Sequence, residues 1–268
     1  MTPKAQARTD DFNRRVDFGR TAEDYGRHRA GFPAELFDRL RNLGIGLPGQ
    51  RLLDLGAGTG ALARTFAAAG CRVTALDPAV PLLREARRLA EESRLALPSV
   101  AAKAEALPLG RASQDVVTAG QCWHWFDRKT VAVEVRRVLR ENGRLVIAHF
   151  DWLPLAEGPV EATEKLIEHY NPAWNFGGRD GRYPQWLPGL ADAGFSDLET
   201  FSFDCDVAYS HTGWRGRIRA SAGVAATLSN EDVARFDADL EKLLGQRFPR
   251  DPLAIPHRVF AIVATSPA

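Results

Sequence analysis

A chain of 268 residues with 45% hydrophobic and 26% charged side chains holds enough apolar material for one sizeable core, which excludes a disordered or fibrous protein. Its 35 basic and 34 acidic residues leave a net charge of +1; they are interspersed, with no basic run longer than three, so no polybasic nucleic-acid or membrane-surface segment is present. Cys71, Cys122 and Cys205 are odd in number and far apart, which suits neither a disulfide framework nor a zinc site, and no other metal site is visible. The N-terminus is polar and no apolar run approaches a membrane span, so a soluble, unexported, cytoplasmic protein without nucleic-acid or membrane partners is expected, its oligomeric state unspecified.

Residues 1 to 19 are polar and expected to fray. Tyr25 and the run Arg27 to Pro33 lead into Glu35 to Leu40, whose apolar spacing is helical, and Leu43 to Gln50 is a loop rich in Gly and Pro. Arg51 to Leu55 reads as a strand buried on both faces, ending in Gly56-Ala-Gly-Thr-Gly60, where the backbone turns tightly beneath a bulky ligand. A helix is expected from about Thr59 to Ala69, closed by Gly70, with its N-terminal amides toward that ligand. Arg72 to Asp77 is a second buried strand ending in an acid, Arg84 to Ala96 a charged outer helix, and Ser99 to Ala102 a short strand. Asp115 to Ala119 forms the fourth strand, and Gly120 to Phe126 lies at its carboxyl end, where open parallel sheets place ligands. Val131, Val135, Val138 and Leu139 stripe the next helix, Asn142-Gly143 turns the chain, and Arg144 to Phe150 is the fifth strand. From Asp151 to Gly194 aromatic residues crowd among Pro and Gly, as in a small-molecule pocket wall. Phe195 to Val207 alternates as a strand, Ser229 begins a helix carrying Val233, Phe236, Leu240, Leu243 and Leu244, and Arg258 to Ala264 closes the chain as a buried strand, expected at the antiparallel edge of the sheet.

The glycine stretch is a nucleotide-type cradle. Gly56, Gly58 and Ala61 satisfy the loose dinucleotide pattern of an NAD(P)-dependent oxidoreductase, but the third glycine falls at Gly60 and a carboxylate, Asp54, stands in the strand two residues before the first. Such a carboxylate is costly unless it holds loop amides or, through water, an ammonium group.

The run Leu53 to Gly60 resembles the first motif of the class I S-adenosylmethionine (SAM) methyltransferases letter for letter. Ala75 to Asp77, Lys103 to Pro108 and Asp115 to Asp127 resemble the second, third and fourth motifs. With Tyr25 to Pro33 upstream, the last looks most like the branch that includes trans-aconitate methyltransferases; the resemblance is specific for residues 20 to 150.

That resemblance implies a doubly wound, mostly parallel α/β sheet of seven strands, with N-terminal lid helices over 1–48, a SAM-binding core over 49–150, an acceptor-covering insertion over 151–195 and the rest of the domain over 196–268. It implies SAM as cofactor, held by Asp54, Gly56, Ala57, Gly58 and Gly60, with Asp77 on the ribose, Pro78, Ala104 and Glu105 at the adenine, Gln121 at the amine, and Tyr25 and Arg29 in the lid. An acidic residue is common at position 103 in that family; this chain has Lys103, which has no acceptor for the exocyclic amine. His124 is the candidate general base. Trp123, Trp125, His149 and Trp174 are candidates to line the acceptor pocket, with Arg215 and Arg219 to meet an anionic group. No Asn/Asp-Pro-Pro-aromatic clamp of nucleic-acid amino-methyltransferases follows the fourth strand, which makes nucleic acids poor substrates; the resemblance itself implies a small-molecule acceptor methylated at a carboxylate or hydroxyl oxygen. A SAM-binding module without transfer activity and an NAD(P)-dependent oxidoreductase are the two alternatives.

Overall fold

The computed structural model describes residues 8–9, 15–16, 30–175, 177–221, 223–225 and 227–267. Backbone contacts divide the chain into two units: one is Gly31–His149, Tyr183–Ser202 and Phe260–Ala268, the other Met1–Ala30, Phe150–Arg182 and Phe203–Val259.

Two short strands, β1 (Arg8–Thr9) and β2 (Arg15–Val16), pair antiparallel. The main sheet has seven strands: β3 (Arg51–Leu55), β4 (Arg72–Leu76), β5 (Ser99–Val100), β6 (Gln114–Gly120), β7 (Leu139–Trp152), β8 (Ser196–Tyr209) and β9 (Leu253–Thr265), in the order β5-β4-β3-β6-β7-β9-β8. From β5 through β7 every pairing is parallel. The strand order reverses at β3 and β6, the switch point where an open sheet of this kind leaves a crevice beyond the strands' carboxyl ends. Helices α1 (Ala34–Asn42), α2 (Ala61–Ala68), α3 (Val80–Glu92), α4 (Arg128–Val138) and α6 (Leu187–Asp192) belong to the unit holding these parallel strands, while α5 (Pro159–Tyr170), α7 (His211–Arg219) and α8 (Asn230–Arg247) belong to the other.

Each unit has its own core. Leu53 and Leu55, Val117 and Ala119, and Leu145 and Ile147 alternate onto one sheet face and pack with Val131, Val135 and Val138 of α4 and Leu190 of α6. In the other unit Val160 and Ile167, Trp214 and Ile218, and Phe236, Leu240 and Leu244 close α5, α7 and α8 on one another. Among the described residues no helix is long and apolar enough to cross a membrane.

Three expectations change. The final strand is not at the edge: β9 lies between β7 and β8, and β8 is outermost. Burial explains the order, since the last seven residues of β9 are buried without interruption, whereas β8 alternates between partly buried and exposed positions and suits an edge. Asn142-Gly143 does not end a segment; it is a bulge inside β7, with Asn142 at φ 58° and register jumping from Gln114↔Leu139 to Val116↔Arg144. The bulge is held by β-type pairing, Asn142 N to Ser266 O and Ser266 N to Gly143 O. The outer helix starts earlier than Arg84, at Val80, because Pro81 sits in its first turn, where a missing N–H costs nothing.

Candidate active site

The cradle is built where β3 runs out. Gly56, Gly58 and Gly60 adopt φ of 55°, 56° and 78°, conformations that a side chain strains. A methyl at Gly56 would sit 2.8 Å from Cys122 Cβ, so this glycine also admits the loop after β6; the Cys122 thiol donates to the Leu55 carbonyl at 3.1 Å. Ala57 N donates to Leu76 O at 3.0 Å and Gly60 N to Ala57 O at 2.8 Å, closing the turn against β4. Among the described residues a methyl at Gly58 would meet nothing nearer than the Gly56 carbonyl at 4.0 Å, so the top of the bend leaves room that a ligand's bulk fits.

Two buried acids hold this bend. Asp77, just past β4, accepts from Gly58 N at 3.1 Å and from Ala79 N at 2.8 Å. Asp54 is the register partner of Thr118 on β6, which puts both side chains on one sheet face; the Thr118 hydroxyl donates to Asp54 at 2.7 Å and the Ala63 amide of α2 donates as well. Asp54 thereby satisfies one of the amide donors that a helix start leaves unpaired. Burial pushes its carboxyl up to about 7, against the lowering effect of those two hydrogen bonds and with a further push from the Asp77 charge.

At the end of β6 the chain leaves through Gly120, whose missing side chain lets Leu62 approach, and Gln121 at φ 59°, whose N–H donates to Ala148 O of β7 at 2.8 Å. A left-handed Gln at a sheet's ligand end is strained backbone of the kind that collects at functional sites. Trp123 is buried in the core beside Phe126, while His124 and Trp125 are half-exposed with ring centroids 4.8 Å apart. His149, buried on β7, lies 5.4 Å from His124 and is covered by Tyr183 at 4.3 Å and Trp186 at 5.0 Å; those two rings stack in parallel at 4.4 Å. Since β3, β6 and β7 run parallel, the cradle, Gln121, His124 and His149 all lie at the carboxyl end of the strands. Trp123, Trp186, Phe126 and Leu190 also line a groove of about 650 Å³, whose charged lining residues are Asp127, Arg128, Lys129 and Asp192.

The remaining expected residues fall as follows. Pro78 is exposed, Ala104 buried, and Glu105 accepts from the Asp127 backbone N–H at 3.2 Å. Trp174 is buried in the core of the other unit. There Arg215 is paired with Asp237 and Glu241, and Arg219 with Asp237 at 2.7 Å, so acids of α8 already balance both guanidiniums. Tyr25 and Arg29 lie outside the described residues. Among the described residues no three His, Cys, Asp or Glu side chains converge. Sequence reasoning assigned no role to Thr118 and counted Tyr183 and Trp186 only among the aromatic residues of the pocket-wall stretch from Asp151 to Gly194. That stretch did not pair the two with His149, and Thr118 follows from the β3–β6 register alone.

Residues 53–147 match the family model described as a methyltransferase domain. An uncharacterized methyltransferase of Mycobacterium tuberculosis is 38% identical over 130 residues, covering 48% of this chain and 50% of that protein, so the chain spans about half the length of the curated relatives it matches first. A malonyl-[acyl-carrier protein] O-methyltransferase of Geobacter sulfurreducens is 32% identical over 197 residues, covering 70% of this chain and 71% of that one. A solved structure of a putative type II methyltransferase from Anaeromyxobacter dehalogenans shares the fold, with TM-score 0.58, 23% identity, and coverage of 88% of this chain and 97% of that one. The parallel sheet, the glycine bend at its switch point and these relatives agree: the chain belongs to the class I SAM-dependent methyltransferases.

Proposed function

We propose that the chain transfers the methyl group of SAM to a carboxylate or hydroxyl oxygen of a small molecule. The observation that carries this reading is the half-exposed His124–Trp125 pair, backed by the buried His149–Tyr183–Trp186 stack, at the same carboxyl end of the strands as the open glycine cradle. Kinship with an O-methyltransferase and resemblance to the trans-aconitate branch support oxygen as the acceptor atom. Bound SAM supplies a methyl carbon on a positively charged sulfur; an acceptor oxygen pair forms the O–C bond while the C–S pair leaves with sulfur as a neutral thioether.

The chain's own residues have distinct parts in this. The loop Gly56 to Gly60 and the start of α2 would cradle the amino-acid end of the cofactor. Asp54, ionised by a nearby ammonium, would balance its amine, with Gln121 supplying a further oxygen. Asp77 would accept from the ribose hydroxyls, Pro78 would lie along the base, and the Ala104 amide would meet its edge. Trp125 would present an aromatic face to the sulfonium, a contact of roughly 0.5 to 2 kcal/mol.

His124 takes its role from the acceptor. A carboxylate of pKa about 4 is already ionised and needs only positioning, whereas a hydroxyl of pKa about 10 needs a base, which contributes roughly two to four orders of magnitude. His124→Ala is therefore expected to slow methylation of a carboxylate less than tenfold; a loss above a hundredfold with such an acceptor contradicts the positioning role. The acceptor is found by offering metabolite pools together with methyl-labelled SAM. Label in a base-labile ester or a stable ether of a small molecule supports the proposal. Label on nitrogen, carbon or a nucleic acid, or no transfer by protein that binds SAM, overturns it.

A further inference from the structure

The sheet order fixes which loop meets the base of a nucleoside seated in the cradle. The cradle follows β3, Asp77 follows β4, and β5 is the next strand outward. Asp77 N donates to Val100 O at 3.3 Å, so the loop after β5 starts beside the ribose acid. A ligand with its sulfur end over the glycines and its ribose on Asp77 directs its base toward Ala101 to Ala106. That loop carries two ionisable side chains. Glu105 accepts from the Asp127 backbone N–H, and Asp127 in turn caps α4 through Thr130, so its carboxylate already serves the helix start. Lys103 is exposed and forms no ion pair among the described residues. An ammonium group has three donors and no acceptor, whereas adenine offers an amine donor at C6 and the deaminated base offers a carbonyl there.

We propose that Lys103 is a specificity-determining residue of the cofactor site: its ammonium suits a C6 carbonyl at least as well as a C6 amine, so the base edge tolerates the 6-oxo nucleoside form of the cofactor product. This rests on the reading above that Asp77 holds the ribose. A site built with a carboxylate opposite the amine rejects the deaminated base, because exchanging donor for acceptor sets two oxygens against each other and leaves a polar group unpaired.

The test is calorimetric titration of the full chain with S-adenosylhomocysteine and with S-inosylhomocysteine, needing no acceptor and no turnover. Wild-type protein is expected to bind the two within tenfold of each other, and Lys103→Asp to shift the ratio at least tenfold toward the adenosyl form. Lys103 is exposed, so thermal unfolding of the variant should be unchanged. A wild-type preference for the adenosyl form above tenfold, or a ratio that Lys103→Asp leaves unmoved, overturns the assignment to Lys103. Failure of wild-type protein to bind either compound overturns it differently, by removing the cradle and ribose assignments beneath it.

Discussion

Burial of Asp54 makes its carboxyl a stability term whose sign is opposite to that of a salt-bridged acid. Its folded value of about 7 lies above the ordinary 3.8, so between these pH values the folded chain holds a proton that the unfolded chain has lost. Stability is therefore expected to fall as pH rises from about 4 to 7, by at most on the order of 4 kcal/mol. Asp54→Asn removes that dependence: in thermal melts the variant's stability relative to wild type should grow from pH 4 to pH 8, and parallel pH profiles for the two proteins would contradict the buried-acid account. Gly56 is constrained twice, by φ 55° and by Cys122 at 2.8 Å from any added methyl. Gly56→Ala is expected to cost about 1 to 3 kcal/mol, and a denaturation midpoint equal to wild type would show the bend to be more pliable than this. Asp54 and Asp77 were legible in the sequence because a carboxylate in or at the end of an apolar run is chemically out of place. The attachment of Glu105 to the Asp127 amide was not, since it depends on two loops far apart in the chain coming together.

Helix α4 shows what local signals can and cannot specify. Its valine stripe and its cap, Asp127 with Thr130 Oγ1 donating at 2.7 Å, are both written in consecutive residues. Asp127→Ala is expected to lower stability by about 1 kcal/mol in chemical denaturation, and a loss below a few tenths would mean that water replaces the cap. Strands β3, β4 and β6 were equally legible, being apolar runs punctuated by glycine or acid. The ends of β7 and the places of β8 and β9 were not. Asn142-Gly143 has turn chemistry, yet pairing with Ser266, more than a hundred residues away, keeps it inside a strand. The sequence marks the end of β9 as a continuously apolar, buried strand and β8 as an alternating one, but that difference alone did not place β9 inside and β8 outermost.

At the scale of the whole molecule, the parallel strands and the cradle share one unit, and the helices α5, α7 and α8 form a second core of their own. The sequence showed one long aromatic stretch from Asp151 to Gly194, whereas contacts assign its first part to the second unit and Tyr183 onward to the first. That division depends on which core each aromatic residue enters: Trp174 packs with Phe236 and Trp214, Tyr183 and Trp186 with His149. Periodicity along the chain carries no such information. The proposed chemistry depends on the bend at the end of β3 receiving a sulfonium nucleoside with its ribose on Asp77. The measurement that bears on this most directly is titration calorimetry of wild type and Asp77→Ala with SAM and, separately, with NAD. The expected result is one SAM site, no NAD site, and at least tenfold weaker SAM binding in the variant; undiminished affinity in Asp77→Ala, or a wild-type protein that binds NAD and ignores SAM, would contradict it.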